Sequence, residues 1–441
     1  MRLCLIPILF FSCQQALAWS DHASLAWPFL RAQPTLNAPQ LTVESLEQFL
    51  SAEAAGVARV LDAVESAMLA QDAAYPATPA ALKFNPVDTG GLRESFIAAL
   101  RISPELDYAL YHQVMPGEVP LQSPPLLWSD LSFLGPGESH DDTRYQALEA
   151  GGAVSIAHVL ATASDEPDMG MDIGLYTDNG TEFGQYYGMG QQPFGNPNLS
   201  YGSQAPLHMG FYHLDWLTQF AQPDLKRGLP LWRIILYDAL ARLAFDTGHD
   251  YWGWRFMGWA LHYIGDLTQP YHADPLPGVS LLSALWSVIM GETDNVIQLV
   301  SNRHGVLESY QYQRMRSSMQ SGDWTAPILV RIAQTQTSCF LPAGVIPDLT
   351  AGSVALGGRL DATLSEVFPA QFVSDPSFEW VGSGFEPEVV MQVADEGGDR
   401  ALAAIDAELE VLLGRFSYYL QGWIAHGLSL QGGDASRDCR P

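Results

Sequence analysis

The run His262-Tyr-Ile-Gly-Asp266-Leu-Thr-Gln-Pro270-Tyr-His272 constrains this chain more than any other stretch. His262 and Asp266 are four residues apart, so a helix places them on one face. Pro270 ends that helix and pushes the residue before it out of the helical region. His272 is then expected just beyond the helix end, turned toward a second centre. Neutral imidazole and carboxylate are zinc ligands. One short segment therefore offers ligands to more than one metal.

The surrounding sequence reads as helical. Two consecutive helices are expected at 229–246 and 250–267, broken at Thr247-Gly248-His249. Residues 43–71 carry apolar side chains at three-four spacing (Leu46, Phe49, Leu50, Val57, Val60, Leu61, Val64), the mark of a long amphipathic helix. Further helices are expected at 19–30, 91–102, 143–163, 283–316 and 397–426. Residues 73–88 and 103–142 read as loops. Residues 165–206 read as a long irregular segment rich in Gly, Asn and Tyr, a type that is usually functional or disordered. Residues 340–395 read as irregular. There is no Gly-rich phosphate loop to support a nucleotide-binding α/β fold. The expected class is all-α.

The 441 residues are 47% hydrophobic and 16% charged, enough for an ample core. The formal net charge of -28 disfavours a nucleic-acid partner, because it repels a phosphate backbone. Residues 1–18 combine Arg2, an apolar run and an Ala16-Leu17-Ala18 ending, which reads as a secretory signal. Cleavage there would make Trp19 the new terminus. Cys4 and Cys13 would leave with the signal. Cys339 and Cys439 would remain, and a single disulfide between them suits an exported protein. The apolar run Leu281–Met290 is too short to span a membrane and reads as a buried helix or a lipid-facing surface.

Few of the eleven histidines have ligand-like surroundings. His304 and Glu308 are again four apart and can face one ion with His272, giving three ligands and an open position. His262 and Asp266 need partners from the irregular stretches. Asp168 follows Glu166-Pro167 at a helix end, and His208 stands where helix resumes. His249 reads as a turn residue. His112, His140, His158 and His426 read as surface or core histidines, and Trp252, Trp254 and Trp259 as core aromatics.

The run from His262 to His272 resembles the signature of the zinc-dependent phospholipase C superfamily. That superfamily includes bacterial phosphatidylcholine phospholipases C, clostridial alpha-toxin and fungal single-strand-specific zinc nucleases. Its members are all-helical and hold three zinc ions. Their mature chains begin with a Trp whose amine and carbonyl oxygen bind one zinc together with a nearby His. Trp19 and His22 stand in those places here. The resemblance implies a first zinc on Asp168, His208, His262 and Asp266. It implies a second on His272, His304 and Glu308, and a third on Trp19 and His22 with Asp266 bridging. Asp172 competes with Asp168, and His213 with His208. The helix-end context favours Asp168, and the step Pro206-Leu207-His208 favours His208.

The close match covers about fifty residues, and elsewhere only the order of ligands agrees. The gap between His22 and Asp168 implies an insertion, set at 31–164, on one large helical domain spanning 19–441. The implied activity is phosphodiester hydrolysis with Asp168 as general base. Glu308 and Ala273 resemble the phospholipase branch rather than the nucleases. The expected substrate is a glycerophospholipid at a membrane surface, and the expected protein is a secreted or periplasmic monomer. Loop 176–201 and stretch 276–290 are the expected contacts with substrate and membrane.

Overall fold

A computed structural model describes residues 19, 21–72, 75–120, 122–135, 143–280, 290, 293–336 and 342–432. The signal-like segment 1–18, both remaining cysteines, His140 and all but one residue of 281–290 lie outside them. The described chain is mostly helical and no sheet closes, so the all-α expectation holds.

The organising element is α9 (Asp250–Thr268). Trp252, Trp254, Phe256, Trp259, Leu261, Ile264 and Leu267 run all the way round it, so it has no face suited to water. Every residue from Tyr251 to Thr268 is buried. It is enclosed by α5 (Ile156–Asp165), α8 (Pro230–Asp246), α13 (Pro342–Val367) and α15 (Val389–Gly432). Gly258 permits the approach of α5, since a Cβ there would lie 2.5 Å from that of Ala163. The helix stops where Pro270 requires it. Gln269 is extended at φ -85°, ψ 125°, and the four-residue α10 (Pro270–Ala273) carries His272 in a new direction.

The remaining elements support this centre. The first helix, α1 (His22–Arg31), lies on α5. It is followed by the short α2 (Pro34–Asn37). Next, α3 (Leu46–Gln71) opens with a Ser45/Gln48 capping box and packs on α8. It also touches α4 (Leu92–Leu100). Later elements are α6 (Ser200–His208), α7 (Trp216–Ala221), α11 (Thr293–Gln320), α12 (Pro327–Ala333) and α14 (Ala370–Ser374). One contiguous apolar core reaches from Trp19 to Ile424.

Three expectations need correction. Residues 103–163 are not loop followed by helix. Strand β2 (Tyr111–Val114) pairs antiparallel with β4 (Arg144–Ala147), which also pairs with β3 (Pro125–Leu126). Strand β1 (Pro39–Thr42) pairs with β5 (Ala153–Ser155). Each strand is too short to show a period by itself, and its stability comes from a distant partner. Second, the boundary at 164 falls inside α5 (Ile156–Asp165), which packs directly on α9. Third, 340–395 is largely helical. Ile346, Leu349, Ser353, Leu360 and Leu364 form a buried helical stripe. Two of the glycines that obscured it are packing sites: a Cβ at Gly352 would lie 2.2 Å from the Arg415 guanidinium and one at Gly357 3.1 Å from Pro277.

Candidate metal centre

Four ionisable side chains meet where α9, α6 and the turn after α5 converge. Asp168 lies in the 3-10 turn Glu166–Met169, His208 ends α6, and His262 and Asp266 share one face of α9. His208 Nδ1 is 3.0 Å from Asp266 Oδ2 and 3.0 Å from His262 Nε2. His262 Nε2 is 3.4 Å from Asp266 Oδ2, and Asp168 Oδ1 is 3.8 Å from each imidazole. Ligands at zinc's bond lengths in a tetrahedron stand about 3.3 Å apart. Five of the six edges of such a tetrahedron are present here.

The other oxygen of Asp266 points to a different group. Its Oδ1 is 3.2 Å from His22 Nε2. His22 is placed by α1, whose N-cap Asp21 adopts φ 62° and accepts a hydrogen bond from Ser24 N. The His22 amide donates to Asp165 Oδ1 at 2.9 Å. Gly265 gives the His22 ring room against α9, since a Cβ there would meet Nδ1 at 3.0 Å. Trp19 is fully buried and its indole donates to Thr268 Oγ1 at 3.1 Å, at the end of the same helix.

A third group is built by α10 and α11. His304 Nε2 is 2.7 Å from Glu308 Oε1, and His272 Nε2 is 3.9 Å from the same oxygen. Gln269 Nε2 donates to that oxygen at 3.2 Å. Tyr271 stacks on His304 with 5.4 Å between ring centres, and its hydroxyl donates to Asp361.

These residues form three buried groups, each able to hold a metal ion: His22/His262/Asp266, Asp168/His208/His262 and His272/His304/Glu308. The donor set fits a cation in a second respect. Both oxygens of Asp266, His22 Nε2, His304 Nε2 and Glu308 Oε2 are buried and make no well-aligned hydrogen bond, although Asp266, His22 and His304 have polar neighbours close by. Buried polar atoms are seldom left so, and a shared cation would satisfy them together.

The outer contacts also orient the imidazoles. His262 Nδ1 lies 2.8 Å from Ser164 O and His272 Nδ1 lies 3.1 Å from His208 O, which leaves each Nε2 facing the cluster. His208 presents Nδ1 instead, while its Nε2 faces Asp172 Oδ2 at 3.3 Å. Asp172 is itself held by Arg233 at 2.5 Å and by the Tyr263 hydroxyl at 2.6 Å. The structure thus separates the two competing aspartates, with Asp168 inside the cluster and Asp172 behind His208. It also separates the competing histidines. His213 lies outside the cluster, 2.8 Å from Thr350 Oγ1.

Electrostatics follow from burial and crowding. Burial pushes Asp168 up to about 6, against the pull of His208 and His22. Burial opposes ionisation of Asp266 as well, but His262, His208 and His22 overcome it and hold that carboxyl well below its usual range. Burial would discharge His208, yet Asp172 and Asp266 raise it to about 10. Burial and the neighbouring His22 hold His262 neutral. Burial keeps Glu308 protonated far above the usual carboxyl range and, with His272, keeps His304 neutral. Protons therefore stand in for cations in this cluster, and metal uptake must expel them.

Other expectations resolve as follows. His249 caps α9 and contacts Glu44 at 2.8 Å. His112 is buried, His158 contacts Glu118, and His426 contacts Asp238. Trp252, Trp254 and Trp259 are core residues. Loop 176–201 is partly packed, with Tyr176, Phe183, Tyr187 and Met189 buried and Tyr186 exposed. Sequence reading missed Asp165, Gln204, which donates to Asp168, and Arg233. A small apolar pocket lined by Phe194, Met209, Phe211, Leu225 and Ile297 reaches His304. No helix among the described residues is long and apolar enough to cross a membrane. Neither a family model, nor a curated protein, nor a solved structure matches this chain.

Proposed function

We propose that this chain is an exported zinc-dependent phosphodiesterase of the phospholipase C type. On this reading it hydrolyses phosphatidylcholine-like glycerophospholipids to diacylglycerol and a phosphorylated headgroup. The observation that carries the reading is the division of one carboxylate: Asp266 gives one oxygen to His22 and the other to His208 and His262, beside a separate His272/His304/Glu308 group. The resemblance of the His262–His272 run supplies the family and the identity of the metal. The proposed ligands are Asp168, His208, His262 and Asp266; His272, His304 and Glu308; and Trp19 with His22 and Asp266.

Bound zinc supplies Lewis acidity for a phosphoryl oxygen and acidifies water toward neutral pH. The chain's own residues do the rest. Asp168, within reach of His208 and His262 in the cluster, would orient the attacking water and accept its proton. The water oxygen bonds to phosphorus, the bond from phosphorus to the glycerol oxygen breaks, and that oxygen leaves with a proton. The apolar pocket beside His304 takes the hydrophobic part of the leaving group and keeps bulk water from it.

The formal charge of -28 opposes approach of a polynucleotide, which argues against the nuclease branch. One zinc-loaded preparation offered phosphatidylcholine micelles and single-stranded DNA separates the two. Release of phosphocholine without acid-soluble nucleotide is expected. Cleavage of DNA alone, or of neither substrate, would overturn the assignment.

A further inference from the structure

The two most exposed aromatic side chains among the described residues sit together. Trp216 is 75% and Phe220 83% exposed, and both belong to the six-residue helix α7. They are four residues apart and share one face. The helix is defined at both ends. Asp215 Oδ1 caps it by accepting from Leu217 N at 2.8 Å and Thr218 N at 3.0 Å, and Pro223 opens the 3-10 turn Pro223–Arg227 directly after it. The exposure is therefore fixed by the local structure.

Its location ties α7 to the pocket. Met209 and Phe211 precede it and Leu225 follows it, and all three line the pocket that reaches His304. Leu214, two residues before Trp216, packs on the same wall cluster. The charge nearby is unusual for this chain. The sequence holds only two lysines, and one of them, Lys226, stands beside Arg227 in the turn after α7. Lys226 has no ion pair among the described residues, while Arg227 is 3.2 Å from Asp224.

We propose that α7 is an interfacial anchor for a zwitterionic phospholipid bilayer, an inference that rests on the phospholipase reading. Trp216 and Phe220 enter the headgroup–acyl boundary, where amphipathic and aromatic rings partition favourably. Lys226 meets lipid phosphate. The anchored surface then opens the pocket toward the membrane, so that a lipid leaves the bilayer along an apolar path to the metal cluster. Two side chains are too small a patch for a stable protein–protein interface, which buries on the order of 1,200 Å² or more. Partition into a bilayer needs no minimum area. The strong negative charge of the chain selects against anionic membranes and leaves a zwitterionic surface as the matching partner.

The test uses the full zinc-loaded chain and vesicles of diether phosphatidylcholine, which keeps the lipid intact and reads binding without turnover. Sedimentation with the vesicles should carry down the wild type. The double variant Trp216→Ser/Phe220→Ser should partition at least about tenfold less, because the burial of both rings is lost. Lys226→Gln should lose a smaller part. Circular dichroism and equal zinc content confirm that each variant is folded. Wild-type binding unchanged by the double variant, no binding by the wild type, or tighter binding to phosphatidylglycerol vesicles would each overturn the inference. A preparation that binds the vesicles but never cleaves phosphatidylcholine would sink the phospholipase reading and leave the anchor standing.

Discussion

Two buried charged constellations share the same pair of elements in this molecule, and they are built on opposite principles. Glu166 and Asp168 are two residues apart after α5, and both face α9. Glu166 accepts from Arg255 Nε at 3.1 Å, from Arg255 Nη2 at 2.7 Å and from the Trp259 indole, so its charge is balanced inside the protein. Two turns further along α9, Asp168 and Asp266 face histidines held at ligand spacing, and several of the polar atoms there have no partner. A buried carboxylate with its own arginine is a structural pair. A buried carboxylate among imidazoles whose far nitrogens are already oriented could hold a cation. The same helix carries both, so burial alone does not distinguish them and the identity of the partners does.

The comparison can be broken by exchanging which site tolerates loss of charge. The largest effect is expected for Asp266→Asn. It should remove metal from the two groups that this carboxylate serves and abolish hydrolysis, beyond the ten- to hundredfold loss typical of an outer-shell partner. Elemental analysis and a phosphocholine assay read both. Full zinc content with full activity would end the assignment. Arg255→Met should act on stability instead. It strands Glu166 in the core and should cost about 3–5 kcal/mol in denaturant unfolding, while metal stoichiometry is kept. Loss of metal without loss of stability would mean that the two constellations are not separable.

A subtler effect is expected from pH. His208 is raised from 6.5 to about 10 in the metal-free chain. A raised folded-state value gives stability that is present in full below 6.5 and is lost as pH rises through about 10. The metal-free protein should therefore lose urea resistance over that window, whereas zinc-loaded protein, whose His208 carries no such proton, should not show this loss. Parallel slopes with and without chelator would contradict the role given to His208.

The cluster was legible because helical spacing and a proline fix it locally. His262 with Asp266, His304 with Glu308, and the turn that frees His272 all follow from i,i+4 geometry and Pro270. What separated Asp168 from Asp172 was not local. Arg233 and Tyr263 arrive from α8 and α9 to hold Asp172, and no pattern around residue 172 announces them. The same limit hid the sheet, where β2 and β4 pair across thirty or more residues. It hid α13 too, whose glycines read as breakers until Arg415 and Pro277 were seen packed against them. Helix was expected to resume at His208, whereas α6 ends there and α7 starts only at Trp216, six residues being too few to fix a boundary by period. The aromatic loop 176–201 divides its rings, with Tyr176, Phe183 and Tyr187 packed in the core and Phe194 in the pocket wall.

The central proposal is that the donor atoms of Asp266, His22, His304 and Glu308 bind cations. Counting metal by elemental analysis on the folded, dialysed protein beginning at Trp19 tests it most directly. The account predicts three zinc ions per chain, all removable by chelator. A folded chain that retains none, and still hydrolyses phosphatidylcholine, would contradict it.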